Sequence, residues 1–174
     1  MRLGTTVASR SQEGDAIELV EPTLEDAKAI WSLVHESGVL DPNSCYLYLL
    51  LCRDFSQSCL VAKQAGRLVG FVTAYFPPQR PDSIFVWQIA VAAAARRKGL
   101  ARRMLLHLVE SRLPGGLRFL EATIAPSNES SQRLFHSVAG RLGVPLEVRS
   151  CFSSKYFPQH HEDEDLVRVG PFLS

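Results

Sequence analysis

Three consecutive cations meet two small residues in Arg96-Arg97-Lys98-Gly99-Leu100-Ala101, between an apolar run ending at Val91 and a helical stripe that begins at Leu100. A helix starting here leaves its first backbone N–H groups without intrahelical partners, and its dipole favours negative charge at that end. Gly99 and Ala101 let a phosphate approach the main chain closely, and Arg102 and Arg103 add further positive charge. The chemistry this spacing points to is pyrophosphate binding. A Walker loop is excluded, because Gly-x-x-x-x-Gly-Lys-Ser/Thr is missing, and so is a dinucleotide fingerprint, because the glycines of Gly-x-Gly-x-x-Gly are absent. The competing reading is an exposed basic helix start.

The rest of the chain makes that loop stand out. It has 174 residues, a formal net charge of +1, 46% apolar and 21% charged residues, the profile of one soluble domain with a real core. Positive charge is therefore local, confined to one phosphate-sized loop rather than a stripe, which argues against nucleic acid as a partner. No apolar run reaches the ~20 residues that span a bilayer, so no membrane role is expected. Residues 1–15 lack an apolar signal segment and read as a flexible leader, with 16–174 as a single domain. Cys45, Cys52, Cys59 and Cys151 show neither Cys-x-x-Cys nor zinc-like spacing. Cys45 and Cys52 would lie ~10 Å apart along a helix at ~1.5 Å per residue, beyond the ~7 Å limit of a disulfide. Reduced thiols in a cytoplasmic protein, with no metal, are the expectation.

The elements that must position the loop are legible. Ile17 to Glu21 alternates at period two and ends at Pro22, a first strand. Thr23 then caps a helix whose apolar face is Leu24, Ala27, Ile30, Trp31 and Val34, ended by Gly38. Asp41-Pro42-Asn43-Ser44 turns into a second helix over Cys45 to Asp54. Ser58 to Lys63 and Leu68 to Tyr75 read as a hairpin, and Ser83 to Val91 as a central strand buried on both faces. A helix over Gly99 to Arg112, a strand over Leu117 to Thr123, a helix over Ser127 to Leu142 and weaker strands over Glu147 to Phe152 and Leu166 to Val169 complete a mixed α/β domain.

Arg96, Gly99 and Ala101 match the Arg/Gln-x-x-Gly-x-Gly/Ala signature, and the chain resembles the GNAT superfamily of N-acetyltransferases. The resemblance implies a mixed, mostly antiparallel sheet flanked by helices, splayed to admit acetyl-CoA as co-substrate. It places the pyrophosphate on the amides of Arg96, Arg97, Lys98, Gly99, Leu100 and Ala101. The pantetheine arm would lie along Ile89, Ala90 and Val91, with Asn128 contacting it. Many members carry a tyrosine beside the following helix to protonate the departing thiolate. Here that place reads Leu134-Phe135-His136. A CoA thiolate, with a thiol-like pKa of about 8.5, leaves readily without a dedicated acid.

Longer strings are more specific. Leu40 to Leu51, Gly70 to Tyr75 with Pro77-Pro78, Pro81 to Val91 and His161 to Pro171 are similar to the L-2,4-diaminobutyrate acetyltransferases of bacterial ectoine synthesis. That family acetylates the 4-amino group, a step in osmoprotection, and a homodimer is its expected assembly. The reaction needs a neutral amine, although a free alkylamine titrates near ~10, so a proton acceptor is required. Asp41 is the first candidate to bind the amine, against an ordinary turn Asp before Pro42. Glu121, a charge in an apolar strand, is the second, against a solvent-facing residue. Trp87 would wall the pocket by cation–π contact, or simply pack in the core. By resemblance His161 contacts substrate, against a solvated tail, with Asn43, Ser44 and Tyr46 weaker pocket candidates. Glu121, Asp41 and His161 are the expected catalytic set. Two alternatives stand beside this reading: an acetyltransferase for another amine, such as a polyamine or a protein N-terminus, and a non-catalytic CoA-binding module.

Overall fold

Period-two alternation makes Ile17–Val20 the edge strand β1 in the computed structural model, which describes residues 16–158 and 160–172. The expected leader, 1–15, lies outside the described residues. Thr23 donates from its amide and hydroxyl to Asp26 (2.9 and 3.2 Å). This closes a 3₁₀ turn, Leu24–Asp26, before helix α1, Ala27–Ser37, which stops at Gly38. The helix thus starts three residues later than the apolar pattern alone implies. Ser44 precedes α2, Cys45–Asp54.

The strands β2 (Leu60–Gln64) and β3 (Arg67–Tyr75) form the hairpin, turning through Ala65 and Gly66, both at positive φ. That conformation matches the right-handed twist of the two strands. β2 begins two residues after the expected Ser58, whose hydroxyl is drawn into a turn by bonds to the carbonyls of Phe55 and Ala74. Then follow β4 (Ser83–Val91), α3 (Leu100–Arg112), β5 (Phe119–Ile124), α4 (Glu129–Leu142), β6 (Leu146–Phe152) and β7 (Glu164–Val169).

All seven strands join one sheet in the order β1-β2-β3-β4-β5-β7-β6. Among the described residues only β4 and β5 run parallel, connected by the α3 crossover. The last strand inserts between β5 and β6, pairing antiparallel with both. Helices α3 and α4 cover one face, where Met104, Leu105, Leu108, Leu120, Phe135, Val138, Val167 and Val169 are buried. Gly70 permits this approach: a Cβ there would meet the Ala90 carbonyl and the Met104 side chain at 3.1 Å each. On the opposite face α1 and α2 bury Ile30, Val34, Tyr48 and Leu51 against Val61, Phe71 and Ala90 of β2, β3 and β4.

That arrangement leaves half of one face open. Leu120, Ala122 and Ile124 of β5, and Val167 and Val169 of β7, point toward α3 and α4. Strand alternation therefore sends Glu121, Thr123, Glu164, Leu166 and Arg168 to the other side. The main strand contacts of α1, by contrast, are with β3 and β4.

Candidate active site

The site begins where two strands part. Parallel pairing of β4 with β5 comprises Ser83↔Phe119, Ile84↔Leu120 and Phe85↔Glu121, and then stops. From Val86 onward β4 pairs on its β3 side only, so Ile89, Ala90 and Val91 present one backbone edge to the opening. A bulge sits at this point, because Thr73 pairs with Gln88 and Ala74 with Val86. Trp87 is the extra residue, turned out of the ladder and 48% exposed. It is therefore not core.

Past Val91 the chain makes one 3₁₀ turn, Ala93–Ala95, and enters the basic loop. The Arg96 side chain folds back, Nε donating to the Val91 carbonyl at 3.0 Å, and ties the loop to the end of β4. Arg97 (φ 60°) and Gly99 (φ 72°) take left-handed conformations before α3 begins at Leu100. Among the described residues, the amides of Arg97 through Arg102 find no protein acceptor. Consecutive N–H groups curved around such a turn, at a helix N-terminus, form an anion cradle. Asn128 lies elsewhere, as the N-cap of α4. Its Oδ1 accepts from the Ser131 amide (3.1 Å) and Ser130 hydroxyl (3.0 Å).

The candidate acceptor residues come from separate segments. Asp41 is exposed at the tip between α1 and α2, and its carbonyl receives Gln88 Nε2 at 3.0 Å and Asn43 Nδ2 at 3.2 Å. The buried Tyr48 hydroxyl donates to Gln88 Oε1 at 2.9 Å. The Asp41 tip is thus fastened to β4 by a polar relay inside the core. From the other side, His161 stacks on Phe157 (3.9 Å between ring centres) with Nε2 3.9 Å from Glu164 Oε1. The Glu164 carboxyl titrates above its ordinary value. Burial pushes it up, the Thr123 hydroxyl and the His161 ring pull it back, and the Asp41 and Glu162 charges push it up again. Asp41, His161 and Glu164 therefore share one acidic neighbourhood.

The solvent-facing alternative for Glu121 does not hold. It is 1% exposed, so it does not face solvent, and it is committed elsewhere: Oε2 accepts from Arg80 Nη2 at 3.0 Å and Oε1 lies 3.1 Å from Arg168 Nε. Ser44 and Tyr46 are exposed at the start of α2. His136 is exposed on α4.

A family model described as "Acetyltransferase (GNAT) family" matches residues 23–140. The chain belongs to the GNAT acetyltransferase family. Within it, the chain is 45% identical over 159 residues to the L-2,4-diaminobutyric acid acetyltransferase of Marinococcus halophilus, covering 91% of this chain and 92% of that one. It is 46% identical to the enzyme of the same name from Halalkalibacterium halodurans, covering 89% and 82%. Among solved structures, the diaminobutyrate acetyltransferase EctA from Paenibacillus lautus, in complex with its substrate L-2,4-diaminobutyric acid and coenzyme A, superposes with a TM-score of 0.87 at 39% identity. That match covers 92% of this chain and 98% of that one. Ard1 from Thermoplasma volcanium, at 15% identity and a TM-score of 0.72 over 91% and 99%, shares the fold alone.

For a GNAT protein the co-substrate is acetyl-CoA, and the splay, the Ile89-Ala90-Val91 edge and the amide cradle have the form it requires. Among the described residues no cluster of three or more His, Cys, Asp or Glu is arranged to hold a metal ion. Sequence reasoning missed Glu164, Arg80 and the Tyr48–Gln88 relay. The signal for Glu164 was present in His161-Glu162-Asp163-Glu164-Asp165. Starting the strand at Leu166 hid the alternation that turns Glu164 toward the site.

Proposed function

We propose that the protein transfers the acetyl group of acetyl-CoA to the 4-amino group of L-2,4-diaminobutyrate. The observation that carries the reading is the pairing, at one opening of the sheet, of the uncommitted amide cradle with the Asp41–His161–Glu164 group. The first suits a pyrophosphate and the second an ammonium group. Relatives of the same length, named for this reaction, add the substrate.

Acetyl-CoA supplies the activated acyl group. The chain's own residues bring the amine to it neutral and oriented. Asp41 and Glu164 attract the ammonium form, and Asn43 with the Tyr48–Gln88 relay holds the Asp41 tip in place. Glu164, the more basic of the acidic residues here, accepts the proton the amine must lose, directly or through water. Trp87 walls the approach and offers its ring face to the cation, and His161 steadies the Glu164 carboxylate. The backbone edge of β4 orients the thioester, and the Arg96–Ala101 loop anchors the far end of the co-substrate. The thiolate departs as the new C–N bond forms.

The reading extends to a single domain over 16–174, a step in ectoine synthesis under osmotic stress, and a cytoplasmic setting in keeping with four unpaired thiols. It includes a homodimer, supported by the exposed edge strand β6, where Val148 and Phe152 are uncovered beside Tyr156. Incubation with acetyl-CoA and a panel of diamines and diamino acids, following free CoA and assigning the product by NMR, tests it. Exclusive 4-N-acetylation of diaminobutyrate is expected; turnover of spermidine but not of diaminobutyrate rejects the assignment.

A further inference from the structure

A diamino acid carries a carboxylate that a plain diamine lacks, and one corner of the open sheet face is built to receive an anion. Glu121, Arg168 and Arg80 meet where β4 and β5 part. Two guanidinium groups against one carboxylate leave a positive charge over. Arg80 reaches in from the loop before β4 and is half exposed, with Nη2 bonded to Glu121. Arg168 is more confined. Its guanidinium lies 3.6 Å above the centre of the Phe119 ring, and its Nε, shielded from water, sits 3.1 Å from Glu121 Oε1 without the alignment of a hydrogen bond. Its two terminal nitrogens make no hydrogen bond among the described residues. A cation stacked on an aromatic ring, steered by a buried carboxylate and left with its donor fork unspent, is a preorganised anion site.

Its position gives the anion an identity. Arg168 and Glu164 lie four residues apart on one face of β7, about 13 Å between Cα atoms at ~3.3 Å per residue. Both side chains are long and face the same opening, so a small molecule between them meets a cation at one end and carboxylates at the other.

We propose that the Arg168 guanidinium, held by Phe119 and Glu121 and supported by Arg80, binds the carboxylate of the acceptor and selects an amino acid over a simple diamine. The inference rests on the acetyl transfer proposed above and names the group that reads its substrate. Glu121 is then a positioning residue, and the carboxylate and ammonium groups of one substrate are gripped at opposite ends of the same strand.

The test compares L-2,4-diaminobutyrate with 1,3-diaminopropane, the same skeleton without the carboxylate, in wild-type protein and in Arg168→Gln and Arg168→Lys. Wild type should favour the amino acid strongly. Arg168→Gln should raise the KM for diaminobutyrate by about 10- to 100-fold, the loss expected of a charge-assisted hydrogen bond. It should leave the KM for acetyl-CoA and the efficiency with diaminopropane unchanged. Arg168→Lys should recover part of the loss, since charge remains while the planar fork is gone. An equal fall with both amines would assign Arg168 a purely structural role, and an unchanged KM for diaminobutyrate would place its carboxylate elsewhere. Either overturns the subsite while acetyl transfer stands. Wild-type protein inert toward diaminobutyrate overturns the underlying reading first. Coenzyme A binding, measured by calorimetry in each variant, reports that the fold is intact.

Discussion

Gln88 of the strand that borders the cofactor opening donates a 3.0 Å hydrogen bond to the backbone carbonyl of Asp41, at the tip between two helices. Its other end accepts from Tyr48, so the position of an exposed acid depends on a buried amide and a buried phenol. Tyr48→Phe leaves the amide of Gln88 short of one partner in a closed environment. A stability loss of about 1–3 kcal/mol is expected, read from the urea midpoint. The kinetic expectation is sharper. Efficiency with the amine falls while the KM for acetyl-CoA stays constant, because only the acceptor side of the opening is loosened.

Arg96 and Gly99 belong to the loop proposed to hold the other substrate. Gly99→Ala forces a Cβ into a left-handed conformation, at a cost of about 1 kcal/mol, and shifts the start of α3. Arg96→Ala cuts the tie to the Val91 carbonyl. Both should raise the KM for acetyl-CoA several-fold before kcat changes. Asp41→Ala should do the reverse, and calorimetric titration with coenzyme A separates the two classes.

Glu164 makes pH a probe of the acceptor side. A carboxyl whose folded pKa is raised binds its proton more tightly folded than unfolded. Its contribution is most favourable below the ordinary value of 4.5, and it declines as pH rises through the raised one. Glu164→Gln removes that dependence. The variant should gain stability relative to wild type on going from about pH 4 to about pH 7, measured by denaturant titration at each. Its turnover should fall by on the order of 10²-fold or more, the loss of a positioned proton acceptor.

Asp26 has the opposite sign. Burial pushes it up, but the Lys63 ammonium at 2.8 Å and the Thr23 donors outweigh burial and hold it below its ordinary value. Stability from this pair is present above the unfolded value of 3.8 and is lost as pH falls through the lower folded one. Lys63→Met should leave the buried acid without its partner, lower stability by about 1–3 kcal/mol near neutrality, and flatten the acid limb of the unfolding curve.

The thiols divide by depth. Burial pushes the Cys52 thiol up to about 12 and the Cys59 thiol up to about 11. Only the thiolate is nucleophilic, so both should resist iodoacetamide until the protein unfolds. Cys151, exposed on β6, should be alkylated first in a peptide map of the native protein.

Much of this architecture is local and was legible in the chain. Cys45–Asp54 and Ser83–Val91 have the bounds their apolar patterns imply, because burial on one face or both imposes the period directly. The boundary shifts at Ser58 and Ser127 have another cause. Hydroxyl and amide side chains there satisfy backbone groups and start a turn or a cap where a hydrophobic pattern would extend the element. Glu121 was recognisable as a charge in an apolar strand. Its partners were not, since Arg80 and Arg168 arrive from a distant loop and from the last strand. Pairing of that kind is set by sheet order, which no local period encodes.

The insertion of β7 between β5 and β6 has a consequence for synthesis. Glu164 and Arg168 leave the ribosome after β1 to β6 and α1 to α4 have been made, and β5 and β6 must stay parted to admit their strand. A nascent chain stalled before Glu164 already contains the strand, loop and helix proposed to hold coenzyme A, together with Asp41 and Trp87, yet it lacks the two side chains proposed to accept the proton and read the carboxylate. On the proposed roles of Glu164 and Arg168, competence in acetyl transfer arrives with β7, and a chain ended before it is expected to be inert rather than indiscriminate.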